Sequence, residues 1–217
     1  MIGGRLGKWI SERPRWFHRA AIPGAVWRLK PTDATPGRKV AWLTFDDGPI
    51  PDVTPAVLDI LDAHGVKATF FMVGDNVERH PELLSMVKQR GHAVGNHTLH
   101  HTRGYRCRHR RYVDEATRGR QMMATNLFRP PHGFILPWQL FAISRHDMIV
   151  MHDVVSMDYD ATQSCEEIIE RVKRLTRNGS IIVFHDSLKA WPRLKSVLPE
   201  IISWLKQQDY ELRAIKR

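Results

Sequence analysis

From residue 40 onward, short runs rich in β-branched and aromatic residues alternate with longer stretches whose apolar positions recur at helical spacing. The run 40–45 reads as a strand buried on both faces, and a helix starting at Pro55 carries Val57, Leu58, Ile60 and Leu61 on one side. Further strands are predicted at 67–73, 92–96, 127–128, 148–155, 180–184 and 210–215. Helices are predicted from Pro81 to just before Gly91, and over 111–124, 137–145, 166–177 and 193–207. Repeated strand-then-helix units imply an α/β architecture with a parallel sheet, and seven of them point to a closed or nearly closed barrel rather than an open sheet.

No internal repeat or linker interrupts this pattern, and 217 residues suit a single domain. Composition is near the globular average, with 42% hydrophobic and 26% charged residues, which excludes a disordered or collagenous chain. No apolar stretch approaches the length of a membrane-spanning helix. Cys107 and Cys165 are far apart and form neither a disulfide framework nor a zinc ribbon; a reducing compartment fits without being required.

Net charge is +10, and its placement matters more than its size. Residues 1–39 hold nine Lys/Arg against two acids, and residues 103–120 seven against two, so the basicity belongs to an N-terminal arm and one loop-like segment. The arm, 1–39, is therefore set apart from the folded domain, 40–217. Solvated basic segments are the first reading of both; a surface that meets an anionic glycan, a membrane face or nucleic acid is the second. The arm lacks the uninterrupted apolar stretch of a secretory signal, which makes the cytoplasm the default, with peripheral membrane association or export left open. Trp9, Trp16, Phe17 and Trp27 suggest aromatics packed on the domain or on a membrane surface.

Polar residues gather where the strands end. Asp46-Asp47-Gly48 follows the first strand, His97 and His101 the third, Arg129 the fourth and His185-Asp186 the sixth, while Asp153 sits late in the fifth. In a βα barrel these carboxyl ends form the face on which active sites are built. Two histidines at i and i+4 share one side of a helical turn and can direct ring nitrogens at one metal ion. Asp46 or Asp47 can supply a carboxylate as third ligand, leaving a position for water. Side chains alternate along an extended strand end, so one aspartate binds metal while its neighbour serves as general base toward water at the ion. His100 and an ordinary Asp-Asp-Gly-Pro turn show how easily either element alone would be over-read. His152 reads as core or pocket wall.

Thr44-Phe45-Asp46-Asp47-Gly48-Pro49, Asn96-His97-Thr98-Leu99-His100-His101, Phe128-Arg129-Pro130-Pro131-His132-Gly133 and Ile182-Val183-Phe184-His185-Asp186 resemble, in order, the motifs of the polysaccharide deacetylases, the NodB-homology domains of carbohydrate esterase family four. The resemblance runs from about residue 40 to 215. It implies a distorted (β/α)7 barrel, TIM-barrel-like, holding one divalent ion, zinc first, with cobalt, nickel or manganese as alternatives. Carried over by motif, Asp47, His97 and His101 are the metal ligands, Asp46 the base, Arg129 the residue that holds Asp46, and His185 the general acid. Pro131, His132 and Tyr159 are expected at the substrate, with the His132 backbone N–H meeting the oxyanion although a tyrosine is usual there. The sequence departs from the family around residues 153–159, where Val155 occupies the commonest aspartate position and Tyr159 stands for a frequent tryptophan. Asp153, two residues before Val155 and so on the same strand face, is the expected substitute partner of His185.

The implied function is metal-dependent hydrolysis of N-acetyl groups from N-acetylhexosamine units of a glycan, releasing acetate. An O-acetyl esterase using the same machinery, and a catalytically silent glycan-binding homologue, are the alternatives. An acetylated glycan is the expected partner; nucleic acid is disfavoured, membrane contact through the arm stays open, and the oligomeric state is unread.

Overall fold

The computed structural model describes residues 12–31 and 36–216. In chain order these form α1 (Trp16–Ala21), β1 (Lys39–Asp46), α2 (Val53–Ala63), β2 (Thr69–Met72), α3 (Gly74–Arg79), α4 (Pro81–Gln89), β3 (Ala93–Asn96), α5 (His109–Met123), β4 (Leu127–Phe128), α6 (Pro137–Ser144), β5 (Met148–Ile149), β6 (Val154–Val155), α7 (Cys165–Leu175), β7 (Ile181–His185), α8 (Trp191–Gln207) and β8 (Tyr210–Leu212). The strands pair in parallel in the order β5-β4-β3-β2-β1-β7-β6, and β8 joins the start of β1.

The two edges of that path, β5 and β6, are separated by four residues of one chain, so the sheet must curl until its edges nearly meet. This is the expected distorted barrel, with one correction. The strand predicted over 148–155 is two short strands, the first hydrogen-bonded to β4 and the second to β7. The apolar run that reads as one strand is the segment that carries the chain across the seam. Residues of the arm help to seal it: Val26 bridges Val150, and Arg28 bridges Ser180 at the foot of β7.

Alternation along β1 sorts its residues between two layers. Ala41, Leu43 and Phe45 face the outer core with Phe70 and Phe184, against Val57, Leu58 and Leu61 of α2 and Leu194 and Leu198 of α8. Val40 and Trp42 pack with Phe71, Val150 and Ile181 in a separate cluster, and the same column continues upward as Thr44 and Asp46. The barrel interior is thus apolar at its foot and polar at the carboxyl end. Helix α2 begins two residues before Pro55, which is tolerated because Pro55 lies in the first turn, where no N–H has an intrahelical partner. α1 and α3 escape the sequence pattern because each has only six residues.

In the arm, Ile22 and Trp27 are buried against Phe128, Ile135, Leu140 and Ile149, while Trp16 is 79% exposed and Phe17 is at the surface. Trp9 lies outside the described residues. No helix among the described residues is long and apolar enough to cross a membrane.

Candidate active site

Sheet register brings the key residues together. Asp46 pairs with His185 across β1 and β7, and Asn96 pairs with Phe128 across β3 and β4, which places His97 beside Arg129 one step further on. Asp46, His97, Arg129 and His185 line one cavity of about 670 Å³, a volume ordinary for a ligand site, together with Asp47, His101, His132, His152 and Tyr159.

Arg129 is buried inside the barrel mouth. Its guanidinium donates to Asp46 Oδ1 at 2.6 Å, to Thr44 Oγ1 at 2.8 Å and to the carbonyls of Val150 and Met151, and it lies 4.0 Å from the Phe71 ring centre. With each of its nitrogens engaged, the fork fixes one carboxylate oxygen of Asp46 and leaves the other, Oδ2, 4.0 Å from His97 Nε2.

The two aspartates do not part as strand alternation predicts. Asp47 has φ of 79°, so the chain turns at the strand end and both carboxylates enter the same cavity. Asp47 Oδ1 lies 3.2 Å from His101 Nε2 and 3.8 Å from His97 Nε2. Nor is 97–101 a helical turn: Thr98 and His101 both have positive φ, and an irregular loop curls the two imidazoles toward Asp47. One ligating atom each from Asp47, His97 and His101 lies within 4.8 Å of the others. His97 Nδ1–H donates to the Arg129 carbonyl at 2.8 Å, which leaves the Nε2 lone pair facing the cluster, and burial holds this ring neutral with its pKa down at about 4. Burial would raise Asp47, but the hydrogen bond from His101 and the histidine charges hold it well below the usual carboxylate range. Two imidazole nitrogens and a carboxylate fit a first-row divalent cation. His100, by contrast, is exposed and donates to Asp75 at 2.8 Å.

The turn is held by a buried carboxyl. Asp186 accepts from the Gly48 N–H at 3.1 Å and from Thr54 Oγ1 at 2.6 Å, and burial raises it to about 8. A Cβ at residue 48 would stand 2.0 Å from Asp186 Oδ2, so only glycine fits.

The partner of His185 is not Asp153. His185 Nδ1–H donates to Asp158 Oδ1 at 2.8 Å, and its backbone N–H donates to Asp158 Oδ2, also at 2.8 Å. Burial alone would lower His185, yet the Asp158 charge and hydrogen bond, with Asp47 and Asp46 adding to them, raise it to about 9. Asp153 instead accepts from Ser180, Arg177 and Arg19 at the opposite end of β7. Two residues back along a strand is the same face but roughly 7 Å lower, and that step takes Asp153 away from the site. The signal for Asp158 was its neighbour: it immediately precedes Tyr159, whose ring packs edge-on to His185 at 4.8 Å.

Pro131 is a second correction. It is buried and does not line the cavity, because the turn Pro131–Gly133 tucks its ring inward and presents Pro130, His132 and Gly133. His132 has φ of 58°, and its Nε2 accepts from Arg103 Nε at 3.1 Å. His152 forms pocket wall, edge-on to Trp27 at 5.7 Å. Of the basic segment 103–120, Arg103 and Arg106 reach the cavity wall; Arg111 and Arg118 pair with Glu115 and Asp114 along α5.

Residues 33–148, over half of the chain, match the family model for polysaccharide deacetylase. The chain belongs to the polysaccharide deacetylase family. Within it, the chain is 31% identical to a peptidoglycan-N-acetylglucosamine deacetylase of Bacillus cereus, over 79% of this chain and 84% of the relative. It is 34% identical to a chitooligosaccharide deacetylase of Sinorhizobium fredii, over 73% and 77% of the two chains. The structure of the peptidoglycan deacetylase PdaC from Bacillus subtilis superimposes with a TM-score of 0.74 at 30% identity, covering 84% of this chain and 90% of that one.

Proposed function

We propose that this member of the polysaccharide deacetylase family hydrolyses the N-acetyl group of N-acetylglucosamine units in a glycan, releasing acetate and leaving a free amine. The observation that carries the reading is a pair of opposed proton carriers around the Asp47, His97 and His101 cluster: Asp46, gripped by Arg129, and His185, held protonated by Asp158. The relatives named above act on the same class of bond.

Asp47, His97 and His101 would hold a divalent ion, zinc first because two imidazoles and one carboxylate suit a catalytic zinc. When bound, such an ion supplies Lewis acidity toward the acetyl carbonyl and acidifies nearby water. Asp46 takes the proton of the water whose oxygen attacks the acetyl carbon; the Arg129 fork keeps this base aimed. The backbone N–H of His132 donates to the developing oxyanion, a task that needs no tyrosine side chain. His185 delivers its Nε2 proton to the sugar nitrogen as the C–N bond breaks, and Asp158, holding Nδ1–H, offsets the imidazolium charge until that proton leaves. Tyr159 walls the site beside His185.

A protonated acid poised at the leaving group favours an amide over an ester substrate, because an amine cannot leave without a proton. Parallel assays of acetate release from N-acetylated and O-acetylated oligosaccharides test this. Amide cleavage dominating, and falling more than aryl acetate cleavage in His185→Ala, supports the reading; ester cleavage dominating, with His185→Ala equally harmful to both, replaces it with the esterase.

A further inference from the structure

The cavity carries cations that this reaction does not use. Arg103 and Arg106 line one side, on the loop after β3, and Lys189 lines the other, on the loop after β7. Among the described residues, none of the three forms an ion pair with a carboxylate, whereas Arg111 and Arg118 further along the same basic segment are neutralised on α5. The two carboxylates of the cavity wall are already engaged, Asp46 by Arg129 and Asp47 by the histidines. Each side also repeats one arrangement, a tyrosine ring with a cation beside it. The Arg106 guanidinium lies 5.8 Å from the Tyr105 ring centre, and the Lys189 ammonium 5.7 Å from that of Tyr159. A tyrosine face can seat a sugar ring, and the adjoining cation then meets whatever that sugar carries. A neutral glycan would offer these three cations no counter-charge.

We infer that the substrate is an acidic glycan, with a carboxylate or phosphate on the units flanking the acetylated sugar, held by Arg103 and Arg106 on one side and Lys189 on the other. This rests on the deacetylase reading for the position of the acetylated unit. The two flanks are independent, so each contributes its own share of the preference.

The test is calorimetric titration of the full chain with three probes: the neutral tetramer of N-acetylglucosamine, a tetrasaccharide alternating N-acetylglucosamine with glucuronate, and the tetramer phosphorylated on its 6-hydroxyls. At about 50 mM salt at least one acidic probe binds roughly tenfold or more tightly than the neutral one, and about 500 mM salt removes most of that advantage by screening. Which acid wins separates carboxylate from phosphate. Arg106→Gln and Lys189→Gln, both on exposed or half-exposed positions, each cut the acidic-to-neutral affinity ratio by about threefold or more, and Lys189→Glu lowers it further. Arg108→Gln, outside the cavity, does not change the ratio. Equal affinity for neutral and acidic probes at low salt, or a ratio unmoved by all the cavity variants, overturns the inference. Acetate release, followed separately on the neutral tetramer, keeps the two failures apart: release without any acidic preference rejects this inference alone, and an acidic preference that follows the variants without release from any probe rejects the deacetylase reading and keeps the acidic ligand.

Discussion

Asp153 and Asp158 stand five residues apart on either side of β6, both fully buried, and serve opposite ends of β7. Asp153 reaches Ser180 at 2.8 Å and Arg177 at 2.7 Å, with Arg19 at 3.2 Å and Arg28 at 3.8 Å supplied by the arm. Asp158 reaches His185 at 2.8 Å. The carboxylates are alike; the protons they face are not. A guanidinium keeps its proton at any pH a protein meets, so the Asp153 cluster is a latch that ties the arm and the foot of β7 together. An imidazolium can give its proton away, so the same carboxylate at the top of the strand tunes an acid. Burial would raise Asp153, but Arg177 and Ser180 hold it below the usual carboxylate range, which keeps the latch charged.

The contrast is broken most severely at the top. Asp46→Asn retains the metal and loses about 10²–10⁴ in kcat, since the amide cannot accept a proton; metal analysis beside steady-state kinetics checks this, and a metal-depleted variant would reassign Asp46 as a ligand.

Asp158→Asn comes next, at about 10²-fold in kcat/KM on an amide near neutral pH. Because His185 acts in its protonated form and is raised to about 9, activity is present below that pH and lost as pH climbs through it. Removing the Asp158 charge stabilises the imidazolium less, so the decline moves toward lower pH. A pH–rate profile with an unmoved alkaline limb would separate His185 from that limb. Asp153→Asn leaves the limb where it is.

His101→Ala should weaken metal affinity by about tenfold or more, against no resolvable change for His100→Ala, as titration with a chromogenic competitor would register. Equal losses would contradict the loop geometry. The latch responds in another observable. Asp153→Asn costs about 2 kcal/mol in denaturant unfolding, the usual scale for removing a buried charged acceptor, with kcat within threefold of the parent. Arg19→Ala costs about 0.5 kcal/mol, because Arg19 is partly exposed and one of several cations on the same carboxylate.

What the sequence disclosed follows the reach of its signals. The strands at 40–45 and 180–184 and the residues just beyond their ends were legible because strand, turn and polar tip are contiguous in the chain. The histidines of the candidate ligand group were legible as a pair, but for a helical reason that does not hold, and the choice of Asp47 over Asp46 came from the family resemblance: positive φ at Asp47, Thr98 and His101 aims the three side chains, and no residue pattern announces such angles for non-glycine residues. Asp153 was mistaken for the partner of His185 because face parity says nothing of height along the strand, and Asp153 lies toward the foot of β7 with Ser180 and Arg177. The true partner, Asp158, lies past the end of β6 and 27 residues before His185, a pairing that local periodicity does not carry. Arg103, Arg106 and Lys189 meet only when the barrel closes; charge counting found the segment 103–120 but could not tell the arginines at the cavity from those paired on α5.

A metal-dependent hydrolytic centre in the carboxyl-end cluster makes acetate release from the neutral N-acetylglucosamine tetramer depend on a bound ion, a dependence read by assaying release before and after metal removal. The purified chain should carry about one divalent ion, fall silent when a chelator strips it, and recover with zinc or a related first-row ion. Undiminished acetate release from the metal-free chain would contradict it.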